Sequence, residues 1–252
     1  MNDLTITTVQ AALHWEDKSK NLKMFETMFE NIEKTDLIIL PEMFNTGFSM
    51  NAEQLAESID GETIRWMTAM SKNLQTAICG SLIIKENNRY YNRLVFITPD
   101  TQIKFYDKQH LFSMGDEDKH YTAGNDSLIV DYLGWKINML ICYDLRFPEI
   151  IRNSKTNPYD LAVVIASWPD KRVEHWDVLL RARAIENQSY FVGVNRTGFD
   201  INEVYHSGHT QVIHPFGNIL YISDETEINT IVLSSKELLL NRRAFPFLKD
   251  IK

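Results

Sequence analysis

The chain has 252 residues, of which 44% are hydrophobic and 24% are charged, a composition typical of a globular protein with a sizeable core. The formal net charge of -8 argues against nucleic acid or an anionic membrane surface as the main partner, because both select for clustered lysine and arginine. A small solute or another protein fits this charge better.

Cysteine content and hydropathy indicate the compartment. There are only two cysteines, and the opening segment "MNDLTITTVQ" has neither a basic region nor an apolar region of the kind found in secretory leaders. No segment approaches the roughly 18 to 20 uninterrupted apolar residues that a membrane helix needs. We therefore expect a soluble protein in a reducing cytoplasm.

The first half of the chain alternates strands with helices. Apolar and β-branched runs predict strands at residues 4–13, 36–40, 76–85, 91–99 and 102–107. Apolar residues at helical spacing predict helices at residues 21–32 and 61–74.

The second half continues the alternation, and no linker or low-complexity segment interrupts it. Strands are predicted on both sides of Gly134, within residues 127–142, and then at residues 161–168, 190–198 and in a hairpin over 210–222. A short helix with Pro148 in its first turn and a long helix are predicted at 146–154 and 174–189. Residues 1–252 are expected to form one α/β domain of mixed sheets covered by helices, and two stacked sheets between helix layers would satisfy the pattern.

Three apolar strands end in polar or reactive groups, namely Glu42, Cys142 and Trp168. Ligands of α/β proteins collect beyond the carboxyl ends of strands, so these ends are expected to converge. Glu42 follows aliphatic residues and a proline, and poor solvation there would favour a working base. The alternative is a carboxylate that caps a backbone group or meets solvent.

Cys142 is either a core thiol or a nucleophile. It stands at a strand end before a helix, where backbone N–H groups would stabilise a thiolate. Cys79, inside an apolar strand, is expected to be an ordinary core residue. None of the seven histidines is an obvious base, although a Cys–His pair formed in space stays open.

Two polar segments lie between these strands. Lys108 has bulky apolar neighbours in "FYDKQHLF"; it is either a surface lysine or a cation at the mouth of a site that stabilises an oxyanion and lowers the thiol pKa. The segment "GDEDKHY" is acidic, but it lacks the ligand spacing of a zinc site. We therefore expect no metal.

The segments "LPEMF", "YDKQHLF" and "CYDLRFPE", in this order, resemble the carbon-nitrogen hydrolase or nitrilase superfamily. "RARAIENQ" and the Trp168-Pro169 pair add a resemblance to its omega-amidase branch. The resemblance extends from the first strand to the hairpin over 210–222. It implies a four-layer α-β-β-α sandwich that dimerises through a helical face.

The resemblance also implies a catalytic triad of Glu42, Lys108 and Cys142, with no metal or organic cofactor. A second glutamate of the family, which orients the site, matches Glu117 better than Asp116 or Asp118. Ser167 stands where relatives often have asparagine, which leaves fine substrate contacts open.

The implied reaction is hydrolysis of short α-keto acid monoamides such as 2-oxoglutaramate or 2-oxosuccinamate, through a cysteine thioester. The N–H of Tyr143 is expected to help to bind the oxyanion. Arg146 is the candidate for the substrate carboxylate and Arg196 competes with it, while Phe44 and Trp168 are candidate pocket walls, against plain core packing. The alternatives are an N-carbamoyl amino acid amidohydrolase, an aliphatic amidase, a nitrilase, or a scaffold without turnover.

Overall fold

A computed structural model describes residues 1–251 of the chain. The strands of this part are, in chain order, β1 (Leu4–Gln10), β2 (Leu37–Ile39), β3 (Ala77–Glu86), β4 (Arg89–Ile97), β5 (Ile103–Asp107), β6 (Leu128–Tyr132), β7 (Trp135–Ile141), β8 (Leu161–Ile165), β9 (Tyr190–Val194), β10 (Thr197–Phe199), β11 (Tyr205–Ser207), β12 (Thr210–Ile213), β13 (Ile219–Ser223) and β14 (Glu227–Leu233).

The helices differ widely in length. They are α1 (Lys18–Phe29), α2 (Ala52–Leu55), α3 (Glu62–Leu74), α4 (Glu117–His120), α5 (Pro148–Ile151), α6 (Val173–Asn187) and α7 (Ser235–Ala244). None of the helices formed by residues 1–251 has the length and apolarity required to cross a membrane.

The strands form two six-stranded mixed sheets and one small ribbon. The first sheet has the order β14-β1-β2-β3-β4-β5, and the second has the order β13-β12-β9-β8-β7-β6. The strands are parallel from β1 to β3 and from β7 to β9, and the remaining pairs are antiparallel. Strands β10 and β11 pair with each other in this ribbon, and Thr197 of β10 also forms a bridge with Ala12.

The two sheets face each other across the main core, and helices cover their outer faces. Ile6 and Ile39 of the first sheet and Val163 of the second belong to one buried cluster between the sheets. Phe25 of α1 packs on the outer face of the first sheet, and Trp176 of α6 packs on that of the second. The predicted α-β-β-α layering is therefore confirmed, and burial on both faces explains why the strands are apolar runs.

Local sequence signals explain where several helices begin. The side chain of Asp17 accepts a hydrogen bond from the Lys20 N–H at 3.0 Å, so α1 begins three residues before the predicted helix start at residue 21. Pro148 is the first residue of α5, where its missing N–H leaves no helical bond unmade. The hairpin over 210–222 is also confirmed, as β12 and β13.

The sequence analysis missed the C-terminal part of the fold. Strand β14 pairs antiparallel with β1, from Leu4 opposite Leu233 to Gln10 opposite Glu227, and so forms an edge of the first sheet. Because it is an edge strand, most of its side chains are half-buried, and its apolar pattern is weak. Helix α7, capped by Ser234, contributes Leu238 to the core between the sheets.

Burial between the sheets predicts a large difference between two valines. Val163 is 0% exposed in the central core, whereas Val232 on β14 is 56% exposed. Val163→Ala should lower the free energy of unfolding by about 2 to 3 kcal/mol, because it removes two buried methyl groups and leaves a cavity. Val232→Ala should lower it by less than about 0.5 kcal/mol. Urea unfolding measures both, and equal losses would contradict this layering.

Candidate active site

Four predicted catalytic side chains meet where strands of the two sheets end. Glu42 follows β2 through Leu40 and Pro41, and Lys108 comes directly after β5. Cys142 comes directly after β7 of the other sheet. Glu117 is the first residue of α4 and lies in the acidic segment "GDEDKHY". Asp116, its neighbour in that segment, instead pairs with Lys119 at the surface.

Lys108 forms two buried ion pairs. Its Nζ lies 2.8 Å from Glu42 Oε1 and 2.9 Å from Glu117 Oε2, and it also contacts Glu117 Oε1 at 3.0 Å. The side chains of all three residues are fully buried. Of the two positions left open for Lys108, the surface position is wrong, because the two carboxylates hold the ammonium group in the buried interior of the site.

Asn92 on β4 bridges the two carboxylates. Its Nδ2 donates to Glu42 Oε1 at 2.8 Å and to Glu117 Oε1 at 3.0 Å. A neutral donor can lie between two acids without adding charge, so Asn92 fixes their separation. The sequence analysis missed it, although asparagine is unusual within a strand and so was a usable signal.

Neighbouring buried charges shift the pKa values of Lys108 and Glu117. Burial alone would lower the pKa of Lys108, but the carboxylates of Glu117 and Glu42 raise it above its ordinary value. Burial raises the pKa of Glu117, the Lys108 ammonium opposes that rise, and Glu42 adds to it. The charged form of Lys108 is therefore favoured, whereas the charged form of Glu117 is disfavoured relative to an exposed glutamate.

The backbone at Cys142 turns sharply. Its φ is +45°, in the left-handed region that residues with side chains rarely adopt, and the next residues begin a 3-10 turn. Asp144 supports this turn: its carboxylate accepts the N–H of Ile141 at 3.0 Å, the Tyr106 hydroxyl at 2.8 Å and the N–H of His110 at 2.9 Å. Asp144 therefore connects the turn at Cys142 to the strand that precedes Lys108.

The Cys142 thiol is held in its neutral form. Burial raises its pKa well above the ordinary value, and the Glu42 carboxylate raises it further. Lys108 and the backbone N–H of Ser167 act in the opposite direction but do not outweigh them. Lys108 therefore lowers the thiol pKa, as expected of a nearby cation, but burial and the Glu42 carboxylate dominate and the net shift is upward.

The thiol lies in a cavity of about 750 Å³. This volume is within the range of about 300 to 1,000 Å³ that small-molecule sites occupy. Cys142 and Lys108 line the cavity, together with Tyr143, Arg146 and Trp168. Glu42 is fully buried and is not among the lining residues, so it lies behind the groups, Cys142 among them, that form the cavity wall.

Arg146 and Arg196 have different surroundings. The Arg146 guanidinium lies 4.6 Å from the Trp168 ring centre and 3.2 Å from His175 Nδ1, on the cavity wall. Arg196 is buried outside the lining and donates to the backbone carbonyls of Thr197 and Phe199. The geometry favours Arg146 as the group that meets a ligand.

Of the two candidate wall residues, only Trp168 lines the cavity. The prediction for Phe44 is wrong: it is fully buried against the helices on the outer face of the first sheet, with its ring centre 5.7 Å from that of Phe25. Gly80 makes room for it, because a Cβ there would lie 2.8 Å from Phe44 Cδ1. The plain core reading is correct for Phe44.

A family model for carbon-nitrogen hydrolases matches residues 5–236. The chain belongs to the carbon-nitrogen hydrolase family. This hydrolase is 42% identical over 252 residues to omega-amidase YafV of Escherichia coli (strain K12), covering 99% of this chain and 97% of the relative. It is 33% identical over 253 residues to a 2-oxoglutaramate amidase of Bacillus subtilis (strain 168), covering 98% of this chain and 97% of the relative.

A solved structure agrees closely with the hydrolase. The crystal structure of a CN-hydrolase superfamily protein from Xanthomonas campestris, with an arsenic adduct in its active site, matches with a TM-score of 0.97 at 38% identity. The match covers 100% of this chain and 98% of that chain. The nitrilase-type sandwich expected from the sequence is thus the fold of the hydrolase.

Two further polar groups of the hydrolase, the Ser167 N–H and His206, lie at the site and were not predicted there. The N–H of Ser167 donates to Glu42 Oε2 at 2.9 Å, so the end of β8 holds the carboxylate that follows β2. His206, one of the seven histidines, is buried on β11 and lines the cavity. No short sequence pattern indicates that the Ser167 N–H binds Glu42 or that His206 reaches the cavity.

The thiol of the hydrolase gives a prediction with a definite sign. Because the Glu42 carboxylate raises the pKa of Cys142, Glu42→Gln should lower that pKa, and the midpoint of iodoacetamide labelling should move to lower pH. Peptide mass spectrometry follows Cys142, and fully buried Cys79 serves as an internal control that stays unlabelled.

Glu16→Gln is the matched control for this measurement. It removes a carboxylate from the cavity rim and should leave the midpoint nearly unchanged. An unchanged or higher midpoint in Glu42→Gln would contradict the proposed electrostatic link between Glu42 and the thiol.

Proposed function

We propose that the protein is an omega-amidase, which hydrolyses the terminal amide of short α-keto dicarboxylate monoamides such as 2-oxoglutaramate and 2-oxosuccinamate. The observation that carries the proposal is the buried Glu42–Lys108–Glu117 cluster beside a cavity-lining cysteine. Relatives named omega-amidase and 2-oxoglutaramate amidase, aligned over nearly the whole chain, support the substrate class.

In the first half-reaction, Cys142 is the nucleophile and Glu42 its base. Glu42 Oε2 already accepts the Ser167 N–H and keeps a second lone pair for the thiol proton. A neutral thiol next to a carboxylate suits this step, because the proton leaves as sulfur attacks the amide carbon. Lys108 and the N–H of Tyr143 hold the oxyanion that forms.

The same carboxylate acts first as an acid, to complete acylation, and then again as a base, in hydrolysis of the thioester. When the carbon–nitrogen bond breaks, Glu42 returns the proton to nitrogen, ammonia leaves, and the acyl group stays on Cys142 as a thioester. Glu42 then takes a proton from water, whose oxygen attacks the thioester carbon. The acid leaves, the thiol recovers its proton, and no metal or organic cofactor takes part.

Glu117 and Asn92 keep the reacting groups in position. Glu117 holds the ammonium of Lys108 with both of its oxygens, and its Oε2 also accepts the N–H of Phe112 at 2.6 Å. Asn92 couples Glu117 to Glu42. Glu117 therefore acts through Lys108 and Glu42 rather than on the substrate.

Arg146 binds the substrate carboxylate in this proposal. It lines the cavity that contains Cys142, and its guanidinium is oriented by the Trp168 face on one side and by His175 on the other. A planar cation with fixed orientation is suited to a carboxylate at the far end of a short amide.

The wider proposal follows the family. Residues 1–252 act as one carbon-nitrogen hydrolase domain, the partner is a small amide rather than nucleic acid or membrane, and the protein works in the cytoplasm as a homodimer. The net charge of -8 and two unpaired cysteines are compatible with this setting. Apolar side chains exposed on the outer helix α6, such as Val178 and Ile185, support pairing through a helical face.

Ammonia release from a substrate panel tests the proposal. We expect turnover of 2-oxoglutaramate to exceed that of glutamine, an N-carbamoyl amino acid, an aliphatic amide and a nitrile. Cys142→Ala should abolish it, and Glu42→Gln should cause a comparable loss with an unchanged circular dichroism spectrum, because each removes a reacting group.

Mass spectrometry of the wild type should find an acyl adduct on Cys142. Cys79→Ala is the matched control, since Cys79 is fully buried in the core between the sheets and should not affect the chemistry. Preserved turnover in Cys142→Ala, or faster turnover of another class in the panel, would refute the proposed function.

Arg146→Gln tests the carboxylate site. It should raise KM for 2-oxoglutaramate about 10- to 100-fold, since a charge-assisted hydrogen bond contributes roughly 1.5 to 3 kcal/mol. An uncharged short amide should show little change in KM. Arg172→Gln, another cation on the cavity wall, is the comparison, and a larger effect there would assign the carboxylate to Arg172.

A further inference from the structure

Ser167 presents two different groups to the candidate site. Its backbone N–H donates to Glu42 Oε2 at 2.9 Å and also lies beside the Cys142 thiol, whose pKa it lowers. Ser167 also lines the cavity that contains this thiol, and its hydroxyl lies 3.3 Å from Nε2 of His206, another lining residue. The mechanism above uses the N–H and gives no role to the hydroxyl.

The partner of the hydroxyl is His206, whose tautomer the backbone determines. His206 Nδ1 lies 3.1 Å from the carbonyl oxygen of Val204 and 3.3 Å from that of Gly198. Carbonyl oxygens only accept hydrogen bonds, so the hydrogen of the neutral ring is on Nδ1. Nε2 then has a free lone pair.

His206 is neutral at physiological pH. Burial and the nearby Arg196 guanidinium lower its pKa to about 4. Ser167 Oγ lies 3.3 Å from Nε2, and because Nε2 can only accept, the hydroxyl hydrogen points to the ring. Because its hydrogen is donated to His206, Ser167 Oγ can act only as a hydrogen-bond acceptor toward a ligand.

We propose that Ser167 Oγ accepts one N–H of the scissile primary amide, and that His206 is the positioning residue that keeps the hydroxyl in this orientation. The proposal rests on the amidase function above and names a specificity device within it. Lys108 and the N–H of Tyr143 are donors and suit the amide oxygen; Ser167 is an acceptor and suits the amide nitrogen.

The position of Ser167 also aligns the leaving group. Because the Ser167 N–H binds Glu42, a nitrogen bonded to Ser167 Oγ lies next to the carboxylic acid that must protonate it. Holding one N–H directs the nitrogen lone pair toward that acid. Ser167 keeps its own proton throughout, and the proton that leaves with ammonia comes from Glu42.

Two substrates that differ only in the leaving group test this inference. The terminal amide and the terminal methyl ester of 2-oxoglutarate release the same product, so one assay follows both. Ser167→Ala should lower kcat/KM for the amide about 10- to 100-fold, the usual effect of losing one buried hydrogen bond. The ester, which has no N–H, should change less than about threefold.

Ser207→Ala is the matched control. Ser207 lies next to His206 on β11, is buried, and its Oγ has no hydrogen-bond partner within residues 1–251. This variant should leave both substrates unchanged.

Two His206 variants test the positioning role. The His206→Asn substitution places an amide near the Nδ1 position, where it can donate to the backbone carbonyls but cannot reach Ser167. The His206→Gln substitution places an amide near the Nε2 position, where its oxygen can accept from Ser167. His206→Asn should therefore reproduce the loss of Ser167→Ala on the amide, and His206→Gln should restore most of it.

The outcomes separate this inference from the proposed function. Equal losses on amide and ester in Ser167→Ala, or no loss on either, would overturn the role of Ser167, while identical behaviour of the two His206 variants would overturn that of His206. If the wild type hydrolyses another primary amide instead of 2-oxoglutaramate, the substrate assignment fails and the comparison is made on that amide and its ester. Hydrolysis of esters alone would refute both proposals.

Discussion

The pairing of one buried ammonium with two buried carboxylates is the constraint around which the site is built. Three charges without solvent are unfavourable unless each is matched by opposite charge and hydrogen bonds. Lys108 supplies the charge, and Asn92 and the Ser167 N–H supply the remaining donors to Glu42. These groups come from both sheets, so the cluster forms only when the sandwich is assembled. Burial and the Glu42 carboxylate of this cluster together raise the pKa of the Cys142 thiol, against the lowering effect of Lys108.

The proposed chemistry separates the two ends of an amide by polarity. Donors face the position of the developing oxyanion, and an oriented hydroxyl faces the position of the nitrogen. The ribbon of β10 and β11 matters here, because it carries His206 to Ser167. In this proposal, a small two-stranded ribbon outside the main sheets contributes to the selectivity of groups held at the sheet ends.

The layered fold followed from sequence because strands buried on both faces have continuous apolar runs, and three motifs identified the ends that carry Glu42, Lys108 and Cys142. Edge strand β14 was not predicted, since half-buried edges have weak patterns. Phe44 was misplaced because an aromatic residue after a strand end suits a core as well as a pocket. The contacts of Asn92 depend on how two sheets stack, and no short stretch of sequence contains that information.

The turn at Cys142 has a consequence for how this protein tolerates change. Asp144 connects that turn, at the end of β7, to Tyr106 and His110, and the Ser167 N–H connects the end of β8 in the same sheet to Glu42, so hydrogen bonds near 3 Å join the second sheet to the first. A core substitution that lets one sheet slide by half an ångström would lengthen all of them at once. Core substitutions should therefore reduce turnover before they unfold the protein. The catalytic rate would then report small changes in the relative position of the two sheets.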